Sequence, residues 1–448
     1  MPMRVTKMKI KDNSCYAKAA FSGLPELVKR IADKTLEQLE KDGVFVFPEL
    51  LKNSEDLSKD QIVLKSVNDT YRTSNLMGYI GYGDKQLFIG SRFSKGNNDH
   101  FLRYMLSRVL ELPNIVDFDT NADNDGKLFN ILVFLFPRYF KAAMRKGLFK
   151  TYIRNRYNDE NVKGTIDISR HISKNTPFVG KIAYSQREYS YDNSLMELVR
   201  HTVEHIRKKP YGKSVLLKSK DEVNAVVNAT PEYQLLDRKS VITDNLHTPI
   251  RHAYYREYRA LQQLCLLILQ HKQHKFGSGS NRIYGIIFDG AWLWEEYINS
   301  LISEHFYHPM NKGGKGAQRL FTDNNGIKQG LIYPDFISKD YDTRIIADAK
   351  YKPIDNIGNK DYLQLLAYMF RFDARKGYYL YPKSASEDDL VLKLNKGSTY
   401  ENNIEPRNDI CVVKHGLTIP DSAGNYEEFE GMMKSAEMKF VDFSVQIR

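Results

Sequence analysis

The stretch Leu331-Ile-Tyr-Pro-Asp-Phe-Ile337, followed after a polar turn by Arg344-Ile-Ile-Ala-Asp-Ala-Lys-Tyr-Lys352, decides how this chain is read. The first segment is an apolar strand carrying one acid, Asp335, directly after Pro334. The second is an apolar strand in which Asp348 and Lys350 share a face, because strand side chains alternate. Ser338 to Thr343 is polar and turn-like, so the strands pair as a hairpin and bring Asp335 beside Asp348. Two carboxylates and an ammonium on apolar strands are costly unless something compensates them. A divalent cation held by both acids does so, and oxygen ligands suit magnesium. Such an ion polarises a phosphate and activates water, while a lysine positions that water or offsets developing charge. The chemistry expected is phosphodiester hydrolysis. The competing account is a surface hairpin with a simple salt bridge, against which the proline-aspartate strand and the flanking apolar runs weigh. Removing one acid should relieve repulsion and leave metal-free stability nearly unchanged.

Working outward, Lys360 to Phe372 reads as a helix that places Gln364 and Tyr368 one turn apart, both facing the site. Upstream, Ala291 to Phe306 is an amphipathic helix with Leu293, Trp294, Tyr297, Ile298, Leu301 and Ile302 on its apolar arc. Glu295 lies inside that arc and Glu296 outside it. A carboxylate turned toward the core wants a partner, and the metal centre is the candidate. The catalytic set is therefore Asp335, Asp348, Lys350, Glu295, Gln364 and Tyr368. Asp335, Asp348 and Glu295 are the expected ligands of Mg2+, for which Mn2+ may substitute.

These segments fall in the last of three regions. Residues 1–155 mix helices (Leu24 to Lys41, His100 to Leu110) with a strand pair around Gly78 to Phe93, an α+β pattern. Residues 156–280 read as mostly helical, with a long apolar-periodic stretch from His252 to His271, and Phe276-Gly-Ser-Gly-Ser280 reads as a flexible break. Residues 281–448 alternate helices and strands, which is α/β in character. A basic and aromatic run from Arg138 to Arg156 is either a nucleic-acid-binding face or a solvated helix with its aromatics inward.

Bulk properties agree. A chain of 448 residues suggests two or three domains. A formal charge of +11 favours a polyanionic partner. Mean hydropathy is −0.50, and no apolar run approaches the roughly 18 residues of a membrane helix. With no signal-like start, a cytoplasmic location and no membrane partner are expected. Cys15, Cys265 and Cys411 lie far apart, which argues against a disulfide framework or a structural zinc site.

Pro334-Asp335, Asp348-Ala-Lys350 and the Gln364-x-x-x-Tyr368 helix together resemble the PD-(D/E)xK nuclease superfamily. More narrowly they resemble the McrC family, the nuclease subunits of McrBC-type restriction systems. Phe288-Asp-Gly-Ala-Trp-Leu-Trp-Glu295 is similar to the helix that opens that family's nuclease domain, with Trp294 where phenylalanine is more usual. Ala143 to Tyr152, Val162 to Asp167 and Tyr191 to Asn193 extend the likeness, which covers about residues 130 to 385. The resemblance implies a PD-(D/E)xK domain, a mixed sheet flanked by helices, within 281–448. It implies a magnesium-dependent endonuclease of a phage-defence restriction system, cutting double-stranded DNA with two copies per double-strand break, or one copy acting twice. It also implies an AAA+ GTPase ring of the McrB type as partner, whose hydrolysis the chain stimulates through its N-terminal region. On that reading, deleting residues 1 to about 130 leaves the metal site folded.

Other motifs compete. His201-Thr-Val-Glu204-His205 matches H-x-x-E-H, a zinc metallopeptidase pattern that places two histidines on one helical face. A basic adaptor that binds DNA without cutting is the non-enzyme alternative, against which the complete Asp335, Asp348 and Lys350 set weighs. Arg207-Lys-Lys-Pro-Tyr-Gly-Lys-Ser214 lacks the leading glycine of a phosphate-binding loop. Asn121-x-Asp123-x-Asp125-Gly126 starts like a calcium loop but has Leu132 at its twelfth position. His305 and His308 are expected at a helix end rather than on a metal.

Overall fold

The computed structural model describes residues 6–47, 60–95, 99–110, 124–275, 283–309, 316–384, 387–397 and 405–445; of these, the side chains of 124–131, 271–275 and 443–445 are not described. The chain divides into two compact units, one made of Met1–Asn121 with Gly277–Arg448 and the other of Ala122–Phe276. This differs from the three consecutive regions read from the sequence. The physical reason is a single sheet. Strands β1 (Thr6–Lys11), β2 (Val44–Phe47), β3 (Leu76–Tyr82), β4 (Lys85–Gly90) and β5 (Tyr284–Asp289) lie in the order β1-β4-β3-β5-β2. β5 is buried along its whole length and pairs antiparallel with β3 and parallel with β2. A strand apolar on both faces needs neighbours on both edges, and here sequence-distant strands supply them. Residues 1 to about 130 thus supply four of the five strands of this sheet, which argues against the expectation that their deletion spares the metal site.

Helices α1 (Pro25–Ile31) and α2 (Leu36–Asp42) cover this sheet, with Leu27, Ile31, Leu36 and Leu39 in one core with Ile80, Leu87 and Ile287. The sequence suggested one helix here. Asp33, at φ 58, breaks it, and Thr35 then caps α2 with a capping box. Helix α3 (His100–Val109) matches expectation.

A second sheet carries the candidate chemistry. Its strands are β6 (Phe306–Tyr307), β7 (Phe336–Ser338), β8 (Ile345–Ala349), β9 (Lys376–Lys383), β10 (Leu390–Lys396) and β11 (Glu405–Thr418). They lie in the order β6-β7-β8-β9-β11-β10. β7 pairs antiparallel with β8, whereas β8, β9 and β11 run parallel. Helix α4 (Gly290–Ile302) leads out of β5, α5 (Asn359–Arg371) crosses from β8 to β9, and α6 (Tyr426–Val445) follows β11. Leu365, Tyr368 and Met369 of α5 pack on Ile346, Tyr379 and Tyr381 of the sheet. Glu437 of α6 accepts from Tyr104 Oη at 2.9 Å and Tyr297 Oη at 2.6 Å, joining α6 to α3 and α4. The architecture is mixed α/β, as expected for this region.

The apolar strand read over Leu331–Ile337 is two pieces. Lys328–Ile332 pairs with Gln318–Thr322 in a separate hairpin, and β7 begins at Phe336. Pro334 offers no N–H to a ladder, so pairing stops there and resumes two residues on. Asp335 sits in the gap.

The second unit contains seven α-helices among the described residues, but also a sheet that the sequence reading did not foresee. Thr151–Asp159 and Ile182–Ser190 pair antiparallel with Tyr157 opposite Tyr184, and Thr165–Ile166 adds a short third strand. The basic and aromatic run therefore spans the end of helix Asn124–Met144 and the first of these strands. Tyr152 stands 58% exposed, so its aromatics do not all face inward. The stretch expected to be a helix from His252 forms one from Arg256 to Lys275. The proposed break at 276–280 lies outside the described residues, as do Asn121 and Asp123 of the calcium-like loop.

Candidate active site

β8 is short, apolar and buried at Ile345, Ile346 and Ala347, and it delivers Asp348 to its end with 2% of that residue exposed. Lys350 follows on the same face, and its Nζ stands 2.5 Å from Asp348 Oδ2. The backbone holds Lys350 too, since its N–H donates to Leu380 O of β9 at 2.9 Å. Trp294 Nε1 of α4 donates to the same carbonyl at 3.0 Å, so the helix and the strand end share one anchor. Asp335 comes in from the segment just before β7, where its Oδ2 accepts the Ala349 N–H at 2.8 Å.

A cleft of about 390 Å³ opens over these groups, lined by Asp335, Asp348, Lys350, Glu295, Gln364 and Asp361 among others. Glu295 is 9% exposed on α4, and its Oε1 lies 3.5 Å from His308 Nε2. His308 Nδ1–H donates to the Asp335 carbonyl at 2.8 Å, tying Glu295 and Asp335 to one imidazole. Burial opposes charging of His308, but Glu296, Glu295 and the Asp335 carbonyl raise its pKa on balance. His305 and His308 lie beyond the end of α4 rather than on it, and His308 stands beside the acids.

On α5, Gln364 Nε2 donates to Tyr368 Oη at 2.7 Å while its Oε1 accepts from Lys350 Nζ at 3.4 Å. Both side chains expected from the helical spacing therefore meet, and Gln364 reaches the lysine. Burial, together with Asp348 and Asp335, pushes Tyr368 up to about 12, so it stands as a neutral phenol. Burial works to lower the Lys350 pKa, yet Asp348 and Asp335 outweigh it and hold it above the ordinary lysine value. Lys350 is an ammonium in this arrangement.

The structure adds residues the sequence reading missed. Asp361 lines the cleft, accepts from Lys352 Nζ at 2.7 Å and lies 3.8 Å from Lys350 Nζ. Burial would raise its pKa, but Lys352 and the Gly358 N–H hold it below the usual carboxylate range. Its place one turn before Gln364 was a usable signal. Asn13, Asn75 and Arg92 reach the cleft from the first sheet, and no local pattern marks them.

Among the described residues, no three His, Cys, Asp or Glu side chains form a ready cage for a metal. The donor set still fits a hard cation. Asp348 Oδ2 is buried with the Lys350 ammonium as counter-charge and no well-aligned hydrogen-bond donor among the described residues. Magnesium commonly takes only one or two carboxylates and keeps water and phosphate as its other ligands.

The H-x-x-E-H residues are arranged differently. Glu204 is held by Arg200 Nε at 2.9 Å and Arg207 Nη1 at 2.7 Å. His201 is buried edge-on against Tyr233, with ring centroids 4.6 Å apart. Burial, with Arg238 nearby, lowers its pKa to about 4. Glu204 is thus engaged as an ion-pair partner and His201 as a core residue. Gly212 to Leu217 is helical rather than a phosphate-cradling loop. The cysteines are free, and no helix among the described residues is long and apolar enough to cross a membrane.

Comparison with known proteins places these features in context. The family model described as McrBC 5-methylcytosine restriction system component matches residues 71–382. No curated protein matches. A refined half-complex of Thermococcus gammatolerans McrB AAA+ hexamers with bound McrC contains a chain 15% identical, with 97% of this chain and 100% of that one covered at a TM-score of 0.44. The cryo-EM structure of the Thermococcus gammatolerans McrBC complex contains one 14% identical, covering 69% and 96% at a TM-score of 0.29.

Proposed function

The chain belongs to the family of McrBC 5-methylcytosine restriction system components, and from that membership we propose that it is the DNA-cutting subunit of such a system. The observation that carries this reading is the buried Asp348 at a strand end, with Asp335 and the Lys350 ammonium facing the same cleft. That grouping is what a PD-(D/E)xK nuclease needs. A surface salt bridge would not need Asp348 to be 2% exposed.

In this reading Asp335 and Asp348 hold Mg2+, or Mn2+ in its place, with Glu295 beside them. The ion supplies Lewis acidity toward a phosphate and lowers the pKa of water. The rest is done by the chain's own residues. Lys350 orients the attacking water and meets the negative charge that develops on phosphate oxygens. Gln364 keeps the lysine in place through its Oε1, and the neutral Tyr368 phenol fixes the Gln364 amide in turn. Lys352 and Asp361 neutralise each other at the rim.

The partner we propose is an AAA+ GTPase ring of the McrB type, which brings the subunit to double-stranded DNA and whose hydrolysis the subunit stimulates. A system component acts with others, and this chain has no nucleotide-binding loop in its sequence. Because one site of this kind cuts one strand, each double-strand break takes two copies, or one copy acting twice. The test is cleavage of plasmid DNA by the chain assembled with its ring partner, GTP and Mg2+, against the same assembly in EDTA. Mg2+-dependent breaks are expected; equal cutting in EDTA, or none under any condition, would remove the proposal.

A further inference from the structure

Tyr351, the residue after the candidate catalytic lysine, is held by the first sheet rather than by its own. Arg92 Nη2 donates to Tyr351 O at 3.1 Å and to Asn75 Oδ1 at 2.5 Å. The same nitrogen lies 3.1 Å from Asp12 Oδ2, and the Arg92 N–H donates to Asp12 Oδ1 at 2.6 Å. The guanidinium carbon sits 4.9 Å from the centre of the Tyr351 ring. Ser91 Oγ is 2.6 Å from Tyr351 Oη, and the Phe93 ring meets the Tyr351 ring edge-on at 5.1 Å. Three consecutive residues, 91 to 93, thus grip one tyrosine by its carbonyl, ring and hydroxyl.

The grip is expensive to build. Asp12 is fully buried, and the Arg92 side chain is only 10% exposed. Its Nε and Nη1 are buried without a hydrogen-bond partner among the described residues. Buried charge with unsatisfied donors costs stability and persists where something else requires it. What it fixes here is Tyr351, the residue that directly follows the Asp348–Lys350 segment.

We propose that Arg92 is a positioning residue of the nuclease site, holding Tyr351 by its carbonyl and ring so that the preceding Lys350 ammonium meets Asp348 and faces the cleft. The inference rests on the nuclease reading for its consequence in cleavage, but its geometric part stands apart from it. Arg92 acts through Lys350 and not on the substrate. The first sheet is thereby part of the catalytic apparatus, although Arg92 precedes Tyr351 by 259 residues in the chain.

The experiment compares the full-length wild type with Arg92→Lys and with Asn75→Ala, which removes one Arg92 acceptor and leaves the charge in place. Two readouts are taken. The first is single-turnover cleavage, with DNA binding measured separately, in the assembly with the ring partner. The second is the rate of Lys350 acetylation by acetic anhydride in the chain alone, measured by mass spectrometry against exposed Lys434. Cleavage should fall by about 10- to 100-fold while DNA binding changes little, as expected for misplacement of a catalytic group by a fraction of an ångström or more. Lys350 labelling should rise several-fold relative to Lys434, on the order of a loosened ion pair. If Arg92→Lys fails to give a cooperative melt, Asn75→Ala carries the comparison. Unchanged Lys350 labelling in the folded variants overturns the proposal, whether cleavage persists or is lost through weaker DNA binding. A wild type that never cuts, with Lys350 labelling still raised in the variants, would sink the nuclease reading and leave the positioning role standing.

Discussion

Lys350 Nζ lies 2.5 Å from Asp348 Oδ2, and both side chains are largely buried at the edge of the cleft. This pair argues against the expectation that losing one acid leaves metal-free stability nearly unchanged. Removing one partner of a buried pair strands the other charge, at a cost of roughly 3–5 kcal/mol. Asp335 and Asp361 near the ammonium soften that cost. Asp348→Asn should therefore abolish cleavage and lower Tm without metal by several degrees, with Asp348→Ala worse. Calorimetric melts in EDTA measure the second effect, and a Tm equal to wild type would show that the pair contributes nothing to the fold.

Metal choice follows from the donor set. The acids at the cleft offer oxygen, and the imidazole of His308 beside them gives its Nδ1–H to the Asp335 carbonyl. Mg2+ and Mn2+ should restore cutting to EDTA-treated protein, and Zn2+ alone should not. Recovery on zinc alone would instead direct attention to nitrogen ligands.

Gly290 stands where β5 turns into α4. A Cβ there would meet Asn75 O at 2.9 Å, Tyr351 Cε1 at 2.9 Å and Met77 Cε at 3.0 Å. The Gly290 N–H also donates to Asn75 O at 2.7 Å, so the backbones cannot easily part. Gly290→Ala should cost about 1–3 kcal/mol, the usual range for overpacking. Because Asn75 and Tyr351 both contact Arg92, cleavage should fall beyond what the loss of fold explains. A denaturant titration beside a cleavage assay separates the two, and a neutral result in both would mean that the junction yields freely.

The acid limb of stability should carry the mark of His201. Its folded-state pKa is about 4, lowered first by burial, against 6.5 for the ordinary group. Between those values the unfolded chain takes up a proton and the native chain does not. Stability conferred by the neutral ring is therefore present above about pH 6.5 and is lost as pH falls toward 4, by up to about 1.4 kcal/mol per unit. His201→Phe should flatten that limb and leave DNA cleavage intact. Loss of cleavage with the fold retained would bring the H-x-x-E-H residues back into consideration.

What the sequence displayed was whatever is local. The run Ile345–Ala349 announces a buried strand, the period of Gln364 and Tyr368 announces a helix face, and Glu295 falls on the buried side of α4 as its spacing predicts. What it hid is what depends on distance. Arg92 and Tyr351 are 259 residues apart, and no periodicity within either segment marks their meeting. Asp33 looked like one more polar helix residue, yet its left-handed backbone splits a helix in two. Thr151–Asp159 was missed because each face of that strand keeps polar or half-exposed groups, leaving no apolar alternation to read.

The division into units yields the last prediction. β1, β3 and β4 belong to the sheet that contains β5, and β5 runs directly into α4, which carries Glu295 and Trp294. Deleting residues 1–121 would leave β5 with no β3 and no β2, exposing a six-residue strand that is buried throughout. At about 25 cal/mol per Å2, uncovering the apolar side chains of several such strands exceeds the 5–15 kcal/mol by which domains are stable. The truncated chain should show no cooperative melt. Excising Ala122–Phe276 and joining the flanking segments through a flexible glycine-serine linker should instead leave a unit that melts cooperatively, because its strands, its core and every cleft-lining residue lie outside the excised stretch. Circular dichroism melts of the two variants decide the matter. A cooperative transition in the N-terminal deletion, or none in the excision, would show that the folding units are not those the contacts describe. If the excised protein also fails to stimulate GTP hydrolysis by the ring while remaining folded, the second unit is the part that engages the partner.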